Sequence, residues 1–394
     1  MHALPEGSSN VRPLQIIRLL YFFQFAGIGI FVSFINVYLH DAGLNGTQIG
    51  LVGMLASLFG MLGATLWGYL SDRTGRPRII LIIGALGTGA ASQLYPLTGT
   101  FLGFAFVASL FGAFNSATNT LVDSLALSFL GDRRDDYGRY RLGGSFGFIL
   151  STSISGLVFE RTGLSTMFPA FGLISLAFII TALFLPRRTI QRRTSHLKSI
   201  SLMIRQPVWL ILISTVFIMW LASSGAFSFL NITIKNMGGS DSLVGFVFTT
   251  SALAEIPFMA FSGSLIRRFG ARRLLWIATL GYFLRFFLYS QMGAPEWALG
   301  VSVISGPMYV LFWNSAINVA NQMAPPGLAA TAQGLVVSAT SLAGVIGTLL
   351  SGWLFDLLGS SGLFLALSGF CILGFILYSF GQIRLMRKPV ISMD

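Results

Sequence analysis

One pattern recurs along the whole chain: a run of about 20 apolar residues, then a short polar connection. A helix of about that length crosses the hydrocarbon core of a bilayer. The runs fall at about 14–39, 48–70, 79–96, 100–128, 139–160, 167–186, 207–234, 242–265, 274–292, 296–322, 329–355 and 363–386. Spanning strands would be about ten residues long and alternate in polarity. The expectation is an all-α integral membrane protein with twelve transmembrane helices. Apolar residues make up 54% of the 394 and charged residues 10%. Soluble domains carry roughly 25% charge, so lipid has to cover most of this surface. The first run is too long for a signal-peptide core and reads as the first span.

Charge placement gives an orientation. Every Lys and Arg except Arg161, Lys235 and Arg285 lies at the N-terminus, in an even-numbered loop or at the C-terminus, or at or beside the span ends there. Positively charged loops stay cytoplasmic, so both termini are expected inside, in a multi-pass protein of the plasma membrane. The net charge of +12 is spread over short loops rather than gathered in a patch, which argues against nucleic acid as a partner. The longest connection, 187–206, carries Arg187-Arg188 and Arg192-Arg193 and reads as a cytoplasmic linker between halves, able to touch anionic lipid.

The halves repeat one another. Ser33-Phe34-Ile35-Asn36 matches Ser228-Phe229-Leu230-Asn231. The stretch from Gly68 to Arg78 resembles that from Gly263 to Arg273. Phe114 to Asn119 matches Trp313 to Asn318, and Gly156 to Glu160 matches Gly352 to Asp356. The four offsets are nearly constant, at about 195–199 residues. Two pseudo-symmetric six-helix bundles follow, at 1–186 and 207–394, and a solute site near the midplane is the usual consequence of such repeats.

Polar residues inside the spans are the functional candidates. Asn115, Asn119 and Asp123 are spaced by four, as are Asn314, Asn318 and Gln322, so each set shares a helix face. Trp313 adds a ring suited to stacking. Asp123, Glu255 and Arg285 are charged within spans, each at a cost of roughly 2.5–3.5 kcal/mol at a helix centre by the lower estimates. Asp123 is expected to pair with Arg139 or Arg141, and Glu255 with Arg285. Asp72, Arg73, Gly75 and Arg76 form a tight, charged cytoplasmic turn that reads as a gate. The lone Cys371, three scattered histidines and the lack of a phosphate-binding loop argue against an enzyme, a metal site or a cofactor.

The string Gly68-Tyr-Leu-Ser-Asp72-Arg73-Thr-Gly75-Arg76-Pro-Arg78 resembles the signature loop of the major facilitator superfamily. Leu20-Tyr21-Phe22-Phe23 and Tyr137-Gly138-Arg139-Tyr140-Arg141 resemble the branch holding lactose-type oligosaccharide–proton symporters and phenylpropionate permease-like proteins. That resemblance implies substrate-binding roles for Asp123 and Arg141 and binding or coupling roles for Glu255 and Arg285. It departs in span 10, where Ser302 and Ser305 stand near the places of the sugar symporters' His and Glu. The antiporter Gly-Pro pair of span 5 is absent, which favours symport or uniport over efflux. The implied function is secondary transport of a sugar, nucleoside or aromatic acid by alternating access, with proton symport and a functional monomer. The alternative is an uncoupled facilitator or exporter. The orientation has a direct test: alkaline phosphatase fused within 187–206 or at the C-terminus is expected to be inactive, and fused after Gly163 or Lys235 to be active.

Overall fold

The computed structural model describes residues 11–131, 133, 136–186, 206–325 and 328–384. The basic pairs of the expected linker lie outside these. Helices occupy each segment read as a span, and the described residues contain no strand. They are α1 (Val11–Val32), α2 (Ile35–Asp41), α3 (Gly46–Thr74), α4 (Pro77–Leu94), α5 (Phe101–Leu130), α6 (Tyr137–Thr162) and α7 (Met167–Leu183). The second half gives α8 (Pro207–Asn236), α9 (Asp241–Phe269), α10 (Ala271–Ser290), α11 (Trp297–Met323) and α12 (Ala329–Arg384). Among the described residues, nine helical stretches are long and apolar enough to cross a bilayer. Charged and amide side chains leave α10 and α11 outside that set, and α12 is two helices meeting at Gly359. Large side chains such as Leu62, Leu102, Leu173, Phe261 and Leu357 are exposed, as a lipid-covered, multi-pass protein requires.

Local chemistry explains where the helices begin and end. Pro77 and Pro207 open α4 and α8, where a missing N–H costs nothing. The Thr100 hydroxyl accepts from the Gly103 amide at 3.2 Å and caps α5. The repeat also appears in the backbone. Gly43 and Gly238, Gly75 and Gly270, and Gly163 and Gly359 all have positive φ, as pairs 195 or 196 residues apart. Only glycine takes this conformation without a Cβ penalty, so the two halves turn at matching places.

The chain divides into two compact units. One comprises 1–44, 55–193 and 240–249; the other comprises 45–54, 194–239 and 250–394. In the first, α1 packs along α6 and α7, and α4 along α5 and α7. Leu14, Ile17, Leu20, Leu81, Leu121 and Leu125 form part of its core. Backbone approach is close: a methyl placed on Gly147 of α6 would lie 2.1 Å from the Phe22 carbonyl oxygen of α1. The start of α9 belongs to this unit too, with Thr249 bonded to Thr152 at 2.9 Å and Ser153 at 2.8 Å.

In the second unit, α12 packs against α8 and α10, and α10 against α11. This unit takes in the start of α3. The Asp356 carboxylate accepts from the Gly46 amide at 2.6 Å, and from the Thr47 amide and hydroxyl at 2.7 and 2.6 Å. A carboxylate at a helix N-terminus satisfies orphan donors and matches the helix dipole. The acid of the Gly352–Asp356 repeat is therefore a helix cap.

The glycine contacts have a measurable consequence. Gly147→Ala is expected to lower stability by about 1–3 kcal/mol through overpacking. Gly138→Ala on the same helix, where a methyl meets nothing within 4 Å, is expected to be neutral or to gain up to about 1 kcal/mol from helix propensity. Unfolding of the two variants in detergent micelles separates these signs.

Candidate functional site

Asp123 of α5 is held by two phenols. Tyr21 of α1 donates to Asp123 Oδ1 at 2.6 Å, and Tyr137, the first residue of α6, donates to the same oxygen at 2.9 Å. Tyr21 lies on the buried face of α1 that carries Leu14 and Ile17, which aims its hydroxyl inward. The two rings meet edge to face at 6.3 Å. A hydrogen bond to a charged group contributes about 1.5–3 kcal/mol, so two of them match the scale of placing a carboxylate in a bilayer.

The expected ion pair of Asp123 with Arg139 or Arg141 is not formed among the described residues. Instead, Arg141 lies one helical turn beyond Tyr137, with its guanidinium carbon 5.4 Å from the centre of the Phe25 ring. Phe25 is likewise one turn beyond Tyr21. The α1–α6 contact therefore runs phenol against phenol, then ring against guanidinium. Arg139 is exposed.

One turn back along α5, the Gln24 amide of α1 donates to Asn119 Oδ1. Asn115 and Thr118 face a cavity of about 40 Å³ inside the first unit, together with Gln24, Thr88 and Ser175. Phe31 and Phe111, stacked at 4.3 Å, form its apolar wall. That space holds a few waters. Pockets that enclose an organic ligand are nearer 300–1,000 Å³, so this cavity alone does not house a solute.

The second unit repeats the pattern with different chemistry. Trp313 packs on Trp220 at 5.5 Å, and Trp220 on Tyr309 at 6.2 Å. Asn318 donates to the Asn314 carbonyl oxygen at 2.9 Å, which commits part of the stripe to its own helix. Asn314, Asn318 and Trp313 are half-buried.

Arg285 of α10 sits among three rings. Its guanidinium carbon is 5.4, 4.7 and 5.9 Å from the centres of Tyr282, Phe286 and Tyr289. These contacts contribute about 0.5–2 kcal/mol each but supply no counter-charge. The expected pair with Glu255 is not formed: among the described residues Arg285 makes no ion pair, and its Nε is buried without a hydrogen-bond partner. The rings occupy the space around the guanidinium instead. Glu255 is half-buried on α9, where a methyl on Gly306 of α11 would meet its backbone nitrogen. Ser302 and Ser305 are buried and bond to carbonyls of their own helix at 2.7 and 3.1 Å, with Tyr289 3.2 Å from Ser305.

At the glycine-rich turn, Gly75 has φ of 63° and lets the chain pass from α3 to α4. Asp72, Arg73 and Arg76 are exposed. Among the described residues Asp72 makes no ion pair with these arginines. Arg73 instead donates to the Tyr69 hydroxyl at 3.4 Å. Arg78, the last residue of the same string, donates to the Leu185 carbonyl oxygen at 2.8 Å and to that of Leu183, closing the end of α7. No group of metal-ligating side chains occurs among the described residues.

Apolar helices, paired glycine turns and polar groups held inside the helices define the class: a multi-pass membrane protein. The chain belongs to the MFS_1-like family, whose model matches residues 14–366. It is 29% identical over 348 residues to the "Maltose permease" of Geobacillus stearothermophilus, covering 87% of this chain and 86% of that one. It is 27% identical over 354 residues to the "Probable 3-phenylpropionic acid transporter" of Escherichia coli (strain K12), covering 86% and 90%. Among solved structures, the nucleoside transporter NupG matches with a TM-score of 0.83 at 15% identity, over 94% of this chain and 99% of that one. The fold is that of major facilitator transporters.

Tyr21, Tyr137 and Gln24 escaped the sequence reading as site residues, although the first two stand in strings that carried the family resemblance. Their role supplies a prediction. Tyr21→Phe and Tyr137→Phe are each expected to cost about 1.5–3 kcal/mol of stability through the lost bond to a charged acceptor. The double variant is expected to depart from additivity, because both donors share one oxygen. A double-mutant cycle by thermal unfolding measures this.

Proposed function

We propose that this chain takes up a small organic solute of sugar, nucleoside or aromatic-acid type across the plasma membrane, by alternating access and with protons. The observation that carries this reading is the Asp123 carboxylate, set within the helices on two phenols rather than neutralised by an arginine. In this reading Asn115, Asn119, Asp123, Arg141, Trp313, Asn314 and Asn318 contact solute. Asp123, Glu255 and Arg285 serve coupling, while Asp72, Arg73, Gly75 and Arg76 gate the cytoplasmic side. The chain makes twelve crossings in two halves, 1–186 and 207–394, keeps both termini in the cytoplasm and works as a monomer in lipid.

The chemistry suits a proton-driven step. A phenol can donate or accept. While Asp123 is ionised, both phenols donate to it. When Asp123 takes a proton on Oδ1, the oxygen that both phenols share, that oxygen becomes a donor and one phenol turns to accept. Proton loading thereby rearranges a tie among α1, α5 and α6, and solute binding to the neighbouring Asn119–Gln24 contact feels the change. The names of the relatives, which include a maltose permease and a phenylpropionic acid transporter, support a small organic solute.

Purified protein in proteoliposomes tests the proposal. With an inward proton gradient, uptake of at least one of maltose, uridine or 3-phenylpropionate is expected to exceed uptake without a gradient by about tenfold or more. Protonophore and Asp123→Asn are each expected to remove that excess. Gradient-independent transport of the same solutes selects an uncoupled facilitator, and full coupling in Asp123→Asn rules out the assigned proton site.

A further inference from the structure

Arg285 presents an unmet demand for negative charge. It lies in the interior of α10, half-buried, with Tyr282 and Tyr289 on its own face of the helix and Phe286 beside it. Those three rings are almost wholly buried, and the Arg285 Nε is buried with them. Two donors at this place lack partners among the described residues. Arg285 Nε has none, and the fully buried Tyr282 hydroxyl, though near Ser223, makes no hydrogen bond of ordinary geometry. On the facing helix α11, Ser302 and Ser305 are neutral and already bonded to their own backbone.

A neutral solute leaves this charge uncompensated. A carboxylate compensates it, because the guanidinium fork matches two carboxylate oxygens and a phenol adds a further donor. The surrounding rings favour an organic carboxylate over a strongly hydrated inorganic anion, since they offer apolar contact to the remainder of the molecule.

We infer that Arg285 and Tyr282 form the anchor for the carboxylate of an organic monoanion, so that the solute class carried by this protein is the organic acids. The inference rests on the transport reading and narrows it. Arg285 takes the carboxylate, Tyr282 donates to it, and the aromatic wall holds the organic part.

The test compares 3-phenylpropionate with its primary amide, 3-phenylpropanamide, which keeps the shape and removes the charge. Binding is read as the concentration-dependent rise in unfolding temperature of the full-length protein in uncharged detergent. The acid is expected to bind at least about tenfold more tightly than the amide. Arg285→Gln is expected to erase that preference, Arg285→Lys to keep part of it, and Tyr282→Phe to weaken acid binding without changing the amide. Equal binding of acid and amide to the unaltered protein overturns the inference, and this arm needs no variant to fold. It is also overturned if Arg285→Gln keeps the preference, if sodium chloride stabilises as well as the acid does, or if neither acid nor amide binds. A protein that carries maltose or uridine in proteoliposomes yet shows no preference for the acid keeps its transport function and loses this assignment.

Discussion

A polar group inside hydrocarbon has no water to turn to, so the protein itself has to supply each partner. That constraint governs every informative feature here. Asp123 is met by two phenols, Asn119 by Gln24, Ser302 and Ser305 by their own helix, and the α3 N-terminus by Asp356. Among the described residues Arg285 Nε is an exception, buried without a hydrogen-bond partner.

The two halves apply the constraint to one backbone with different side chains. Matching positive-φ glycines turn both halves at the same places, and matching asparagine stripes run along α5 and α11. The charged positions diverge. The first unit sets an acid on phenols that can reverse their donor role, whereas the second surrounds a guanidinium with rings that cannot neutralise it.

Much of the architecture was legible in the sequence because it follows from length and period. Long apolar runs gave the helices, and constant offsets gave the repeat. The Gly75 turn was legible because a tight cytoplasmic connection needs glycine. The partners of the charges were not legible. Both expected ion pairs, of Asp123 with an arginine and of Glu255 with Arg285, assumed that opposite charges on neighbouring helices meet. Side-chain direction decided otherwise: Tyr21 and Tyr137 reach Asp123 first, and Tyr282, Phe286 and Tyr289 close around Arg285. An aromatic residue reads as core in a sequence this rich in aromatics, so a hydroxyl aimed at a carboxylate one hundred residues away leaves no mark in composition or period. Asp356 likewise read as part of a repeat, and its capping of α3 needed the fold.

We propose that these buried partners serve a carrier whose solute site opens to one side at a time. Counterflow measures that property directly. Proteoliposomes are loaded with an excess of unlabelled 3-phenylpropionate, maltose or uridine, then diluted into a trace of the same labelled compound with no ion gradient. A carrier accumulates label transiently above equilibrium, because each outward trip with unlabelled solute returns a site that captures label. The account predicts such an overshoot for at least one of the three. Label that only rises to equilibrium, at a rate indifferent to the unlabelled load, would contradict it.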